Sequence, residues 1–450
     1  MTVDMVLFNG KVFTGGKIVE AGIAVEEGKI VKVGKETLLP LASDKVDLNG
    51  CLVLPGLIDA HVHLRDQLQS YEEDFESGTA AAVVGGITSV LDMPNNQPVT
   101  MSCASLKERI KAAEQRIVAN VGFFSAFPKS LDEIVDVVEE GAVAFKLYLT
   151  TQIGGVDIDD DEALLQAFEK VSDLEIPVSV HAEDRETVKS VSETEKKLRH
   201  NGIDAYLKAH SSKAEIEAVK RILKLVYKCN VQAHFCHMSS EESVFLVHTA
   251  RKNNLRVSCE VTPHHLLLTT NNLIQQGTVL LTDPPVRNKN VTEKLWNAVK
   301  AGYIDMIASD HAPHLLAEKK ADSVWDVKPG FPGLETLLPL LLTKVNEGQL
   351  SIHELVRMTA EKPSEIFGLH GEGFLKEGFN ANITVVDMHR RSRIDVDKFY
   401  SKAKYSPFDG WQVEGIPVKT FVNGQQVMDE GVVITEKRVG RILHSKSPIR

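Results

Sequence analysis

The stretch from Leu52 to Arg65 reads LVLPGLIDAHVHLR, and its last five residues alternate in a way that could do chemistry. On a strand, residues two apart share a face, so His61, His63 and Arg65 project together while Val62 and Leu64 turn away. Two imidazoles at that spacing can hold one divalent ion, with a guanidinium one step further out. Alone the pair says little, because the chain has 16 histidines and most such pairs are surface or packing residues. The pattern recurs, however: His181 ends IPVSVH, His237 ends VQAHFCH and Asp310 ends DMIASD, each closing an apolar run. Imidazoles with a carboxylate suit a borderline divalent ion such as Zn²⁺, and one catalytic ion uses about three protein ligands. Four histidines and an aspartate therefore point to two ions.

Two cations roughly 3.5–4 Å apart repel strongly and need a bridging anion. The apolar run AVAFKLYL offers only Lys146. Lys146 is either a salt-bridging residue with an acid nearby, or an amine that has captured CO₂ as a carbamate and so supplies a bidentate anion. Its apolar neighbours Ala142, Val143, Ala144 and Phe145 favour the uncharged amine that such capture needs. The residues themselves leave the choice open.

The elements that must position these groups are short apolar runs alternating with helix-like stretches. The runs are Thr88–Asp92, Val121–Ser125, Ala142–Leu147, Pro177–His181, Val231–His237, Arg256–Val261 and Met306–Asp310. Ser105–Val118, Leu131–Glu140, Glu162–Ser172 and Ala214–Lys228 carry apolar residues at helical spacing. Such alternation predicts βα units around a parallel sheet, closed as an eight-unit barrel or open and doubly wound. No dinucleotide fingerprint follows the early runs, which favours the barrel. In a barrel all strand C-termini open on one rim, where distant residues converge. The two ends of the chain differ: Val3–Phe8 leads into Asn9-Gly10 and Lys11–Thr14 into Gly15-Gly16, while Ala381–Val386 and Val418–Val422 precede Asn423-Gly424 and Gln425–Met428. Asn-Gly accepts the positive φ of a type I′ hairpin, so the ends are expected to make one β-sandwich, residues 1–55 with 366–450, flanking a barrel of 56–365.

Composition narrows the function. Hydrophobic residues are 43% and charged residues 25% of the 450, an ordinary globular balance. The net charge of −11 gives no bulk attraction to nucleic acid or anionic membranes, while a pocket for a small anion needs only one or two local cations. No apolar run reaches membrane-spanning length and the N-terminus lacks a signal-peptide layout, so a cytoplasmic enzyme is expected. The five scattered cysteines lack CxxC spacing and fit reduced thiols.

Taken in order, PGLIDAHVHLRD, LDMPNN, FKLY, VHAED, CHMSS, CEVTPHH, SDHAPH and PGFPGLET resemble the amidohydrolase superfamily, and within it the dihydroorotases of the archaeal and animal-domain type. The resemblance spans nearly the whole chain. It implies a distorted (β/α)₈ barrel with a β-sandwich from both termini, and reversible conversion of (S)-dihydroorotate to N-carbamoyl-L-aspartate in pyrimidine synthesis. Two Zn²⁺ ions are implied: His61, His63 and Asp310 on one, His181 and His237 on the other, and carboxylated Lys146 bridging. A metal-bridging hydroxide would attack the ring amide, with Asp310 as general base and then acid.

The same resemblance assigns the substrate carboxylate to Arg65, Asn95 and His314, with His63 beside them, and backbone contacts to Pro329 and Gly330. Without it, Asn95 is a turn residue and His314 a loop histidine. Asp283 in TDPPVR departs from the pattern, where Asn or Arg is usual, and suits an anionic substrate only if it meets a ring N–H. Cys236 and Glu260 match residues linked with an additional metal; the plainer readings are a buried thiol and an ion-paired carboxylate. Leu334 and Glu335 read as framework for the helix that follows. Thr150–Gly155 is either a lid over the pocket or a plain βα loop.

Allantoinases and hydantoinases (dihydropyrimidinases) share the fold and two-metal logic, and Arg65, Asn95 and His314 do most to separate a carboxylate-bearing substrate from theirs. A catalytically inactive scaffold for aspartate carbamoyltransferase is the rival of another class, although all six ligand positions hold competent residue types. Relatives imply a homodimer and association with aspartate carbamoyltransferase.

Overall fold

The structure is a computed structural model and describes residues 2–435 and 438–445. Met1, 436–437 and 446–450, which the expected terminal domain includes, lie outside the described residues. Eight parallel strands form the central sheet: β1 (Leu57–Val62), β2 (Ile87–Asp92), β3 (Asn120–Ala126), β4 (Ala142–Tyr148), β5 (Val178–His181), β6 (Ala233–Phe235), β7 (Val257–Val261) and β8 (Met306–Ile307). They neighbour one another in chain order, and a parallel bridge from Val62 to His311 brings the last back to the first. The seam is held by the His63 amide donating to the His311 carbonyl at 2.8 Å. The closed alternative is therefore the one the chain adopts. Strands buried on both faces read as unbroken apolar runs, which is why the sequence located them.

The expected run Met306–Asp310 is a strand only through Ile307, because Asp310 turns into the left-handed region at φ 50°. The helix expected to reach Val118 covers Cys103–Ala113 and stops before Gln115, at φ 62°. Ile117 and Val118 instead lead, buried, into β3. The amphipathic helix Ser212–Cys229 buries Ala218, Val219, Ile222, Leu225 and Val226, the stripe its sequence predicts, and ends at a left-handed Asn230.

Among the described residues, both ends of the chain build a second, largely antiparallel sheet of nine strands. Its middle strand Leu52–Pro55 pairs with Lys11–Val12 on one side and Ile383–Val386 on the other. Asn423-Gly424 makes the expected hairpin, with φ 49° and 80°. Asn9-Gly10 does not: Thr2–Thr14 is one continuous strand with a register shift between Leu7 and Gly10. Gly10 is needed for close approach, since a Cβ there would lie 2.9 Å from Leu48 Cδ1 and 3.0 Å from Val53 Cγ2. Ile442–Leu443 leaves this sheet and pairs with β3 of the barrel. Among the described residues no helix is long and apolar enough to cross a membrane.

Glu335 joins the two sheets' surroundings. It lies on the barrel helix Leu334–Asn346 and accepts from the amides of Tyr400 at 2.7 Å and Ser401 at 3.4 Å. Burial pushes its carboxyl from an ordinary 4.5 up to about 8. The folded state then holds more protons than the unfolded between those two values, so stability falls as pH rises through that window. Ionising it in the fold costs on the order of 5 kcal/mol above pH 8. Glu335→Gln is therefore expected to raise the thermal midpoint at pH 8 and leave it near wild type at pH 4.5, measured by scanning calorimetry. Equal gains at both values would show that the carboxyl is not held protonated.

Candidate active site

All six ligand-type residues meet at the C-terminal rim of the barrel, and all line or underlie one cavity of about 500 Å³. They fall into two groups. In the first, Asp310 Oδ1 lies 3.5 Å from His61 Nε2 and 3.4 Å from His63 Nε2. In the second, His181 Nδ1 and His237 Nε2 are 3.0 Å apart. Lys146 Nζ lies at the centre, 3.4 Å from His61 Nε2 and 3.0 Å from Cys236 Sγ.

Three of the remaining ring nitrogens are held from behind. His61 Nδ1 donates to Glu260, His63 Nδ1 to Asn95 Oδ1 at 2.7 Å, and His181 Nε2 to Glu183 Oε2 at 3.1 Å. Each contact turns the other nitrogen's lone pair inward, the tautomer a metal ligand needs. Burial lowers His63 to about 3, and it lowers His237 well below the ordinary range, so both rings are neutral near pH 7. For Asp310 burial works upward, but the imidazoles of His61 and His63 outweigh it and keep the carboxylate charged.

The donor set fits a pair of divalent ions, and Lys146 supplies the independent test. Its side chain is fully buried, and among the described residues no carboxylate lies within 4 Å of Nζ. The salt-bridged reading of this lysine therefore fails. A buried amine facing imidazoles without a counter-charge is what a carbamate bridge between cations would resolve. Glu260, Cys236 and His61 also form a tight group that could hold an ion. Yet Glu260 already accepts from His61, from His234 Nε2 at 3.0 Å and from the His237 amide at 3.1 Å. Burial pushes the Cys236 thiol up to about 12. These contacts suit an ion-paired carboxylate and a buried thiol, and the same three side chains are close enough to hold an ion.

Three site residues sit at positive φ: Arg65 at 55°, His237 at 35° and Asp310 at 50°. Such conformations cost of order 1–3 kcal/mol each and persist where surroundings impose them. For Arg65 the constraint is visible. Arg109, fully buried over the Phe75 ring, clasps Asp92 with Nε and Nη2 and donates from Nη1 to the Arg65 carbonyl at 2.6 Å. Asp92 Oδ1 in turn accepts the Leu64 amide at 2.8 Å.

The expected substrate contacts line the same cavity. Arg65 Nη2 lies 3.0 Å from His314 Nε2, and Asn95 reaches the cavity while fixing His63. Pro329 and Gly330 form part of its wall. Gly330 stands at φ 117° with its missing Cβ only 2.6 Å from Ala312 Cβ, so a side chain there would be strained. Thr150, Thr151 and Ile153 of the Thr150–Gly155 segment also face the cavity. Asp283 is present too, with Oδ1 2.8 Å from His210 Nδ1.

Several contributors had no clear signal in the sequence. His210 lies in a helix C-cap far from any ligand; burial would lower it, but Asp283 and Glu183 raise it to about 10, so an imidazolium sits between two carboxylates. That cation offsets the charge that made Asp283 an awkward neighbour for an anionic substrate. Lys319, fully buried, donates to the carbonyls of Leu281, Lys328 and Gly330 at 3.0, 2.8 and 2.7 Å and so ties the Gly330 wall to the loop leading to Asp283. Glu183 could have been found, since it stands two residues beyond His181 in VHAED. Glu72, ion-paired to Arg65 at 3.2 Å, could not.

Comparison with known proteins agrees with this geometry. The amidohydrolase family model matches residues 52–427. The dihydroorotase of Methanothermobacter thermautotrophicus is 39% identical over 396 residues, 87% of this chain and 88% of its own length. The L-hydantoinase of Paenarthrobacter aurescens is 33% identical over 409 residues, 89% of each chain. Among solved structures, L-hydantoinase (dihydropyrimidinase) from Arthrobacter aurescens superposes with a TM-score of 0.95 at 32% identity, covering 98% of this chain and all of its own. With the barrel, the ligand-type residues at its rim and these matches over most of its length, the chain belongs to the amidohydrolase family.

Proposed function

We propose that this cyclic amidohydrolase is a dihydroorotase, interconverting (S)-dihydroorotate and N-carbamoyl-L-aspartate with two Zn²⁺ ions bridged by N-carboxylated Lys146. The observation that carries the substrate is the placement of Arg65, Asn95 and His314 on the wall of the cavity that the ligand-type residues line. When bound, the ions would activate water near neutral pH and polarise the ring carbonyl. His61, His63 and Asp310 would hold one ion, His181 and His237 the other.

The chain's own groups do the rest. Arg65 supplies guanidinium donors to the ring carboxylate, the planar fork such a group favours. Asn95 accepts from His63 Nδ1 and keeps its amide N–H₂ for the substrate. The Asp310 carboxylate takes a proton from the attacking water and returns it to the leaving ring nitrogen. Asp283, its charge offset by His210, offers an acceptor to a ring N–H.

A hydantoinase is the second reading, supported by the Arg65–Glu72 ion pair, which engages the guanidinium before any substrate arrives. Turnover of dihydroorotate, hydantoin, allantoin and dihydrouracil by Zn²⁺- and bicarbonate-supplied protein separates the readings. Selective turnover of dihydroorotate is expected; a preference for hydantoin or dihydrouracil would overturn the assignment while leaving the cyclic amidohydrolase class intact.

A further inference from the structure

Glu72 is a buried carboxylate, 2% exposed, on the wall of the active-site cavity. Its Oε2 lies 3.2 Å from Arg65 Nε, and its Oε1 lies 3.4 Å from both His314 Nδ1 and Tyr71 Oη. Burial lowers His314 to about 4, so the ring is neutral near pH 7 and carries one proton. Its Nε2 lies 3.0 Å from both Arg65 Nη2 and the Pro329 carbonyl, and its Nδ1 faces Glu72. Glu72, His314 and Arg65 thus close a ring of contacts. Two of the three guanidinium nitrogens are committed: Nε to Glu72 and the Pro313 carbonyl, Nη2 to His314. A substrate carboxylate meets a cation whose charge is already balanced, with Nη1 and the second N–H of Nη2 left for it.

Two like charges a few ångströms apart in a partly enclosed cavity repel, and removing one strengthens the hold on the other. Elsewhere on the wall Asp283 is offset by His210, and Lys328 is a single lysine. A neutral cyclic amide of the same ring feels none of this, because its recognition does not draw on the guanidinium charge.

We propose that Glu72 is a specificity-determining residue that weakens this cavity's grip on ring carboxylates relative to neutral cyclic amides of the same ring. The inference rests on the reading of Arg65 as the carboxylate clamp.

The test compares wild type with Glu72→Gln and Glu72→Asp, each loaded with Zn²⁺ and bicarbonate. The readout is the ratio of KM for dihydroorotate to KM for dihydrouracil, together with the Kd of dihydroorotate from calorimetry. Glu72→Gln is expected to lower the ratio and the Kd about tenfold, and Glu72→Asp, which keeps the charge, to stay within about twofold of wild type. General damage to the site moves both substrates together and leaves the ratio where it was. An unchanged or raised ratio in a folded Glu72→Gln protein overturns the proposal. Should wild type fail to turn over dihydroorotate, the dihydroorotase assignment falls, and the Kd alone still decides the role of Glu72: a tenfold tightening supports it and no tightening ends it.

Discussion

Asp310→Asn is expected to fold like wild type, to hold metal less tightly through its neutral amide and, when metal-loaded, to turn over its substrate about 10³-fold more slowly. The side chain is nearly isosteric, and its backbone sits at φ 50°, a conformation that Asn tolerates about as well as Asp. Fold and seam should therefore survive. What disappears is the basic oxygen. The native carboxylate stays charged because the His61 and His63 imidazoles outweigh its burial, whereas an amide cannot accept and return a proton near neutral pH. General acid–base groups contribute roughly 10²–10⁴-fold, and this residue serves in both directions of a proton shuttle. The measurements are kcat, metal content and thermal midpoint on one preparation. Near-native kcat with metal bound would remove Asp310 from the proton path. A large loss of metal would show it to be chiefly a ligand.

Lys146→Met should have an effect of similar size for a different reason. The substitution keeps the volume of a fully buried side chain on β4, so packing against its neighbours is preserved. It removes the one atom that could carry a bridging carbamate. Metal content is expected to fall from two ions per chain towards one, and turnover by 10³-fold or more, read by elemental analysis and steady-state kinetics. The metal-stripped protein gives a second, opposite sign. An amine without a carboxylate partner is a cost in the empty site, so stripped Lys146→Met should melt no lower than stripped wild type. Two ions per chain with full activity would show that Lys146 does not bridge.

The parts of the site that could be read in advance are those that the strand period and strand ends dictate. His61 and His63 had to share a face, and an apolar run ending in a histidine or an acid had to deliver it to the rim. The groups behind the ligands follow no such rule. Glu260 reaches His61 across the barrel from β7, a pairing fixed by which strands face each other. His210 comes from a helix end and Glu72 from a turn, and neither position has a periodicity that says where its side chain points. The Asn9-Gly10 misreading has a related origin. A dipeptide that can turn at positive φ also suits a bulge or a close crossing, and Leu48 and Val53 packing over Gly10 decided between them. Local chemistry placed the barrel strands well because burial on both faces leaves a strong mark. It placed the Ser105–Val118 helix end poorly, where a single left-handed Gln115 made the difference.

The shared terminal sheet constrains the order in which a ribosome can deliver a competent protein. Leu52–Pro55 is fully buried, yet one of its two neighbours, Ile383–Val386, is synthesised only after the entire barrel. At ordinary elongation rates that is a wait on the order of tens of seconds, during which an apolar strand edge stands bare. The nascent chain thus carries its most adhesive surface early and covers it last. Versions cut before Ile383 should accumulate as aggregates even though every βα unit of the barrel is present, and the demand for chaperones should fall on the first fifty-odd residues.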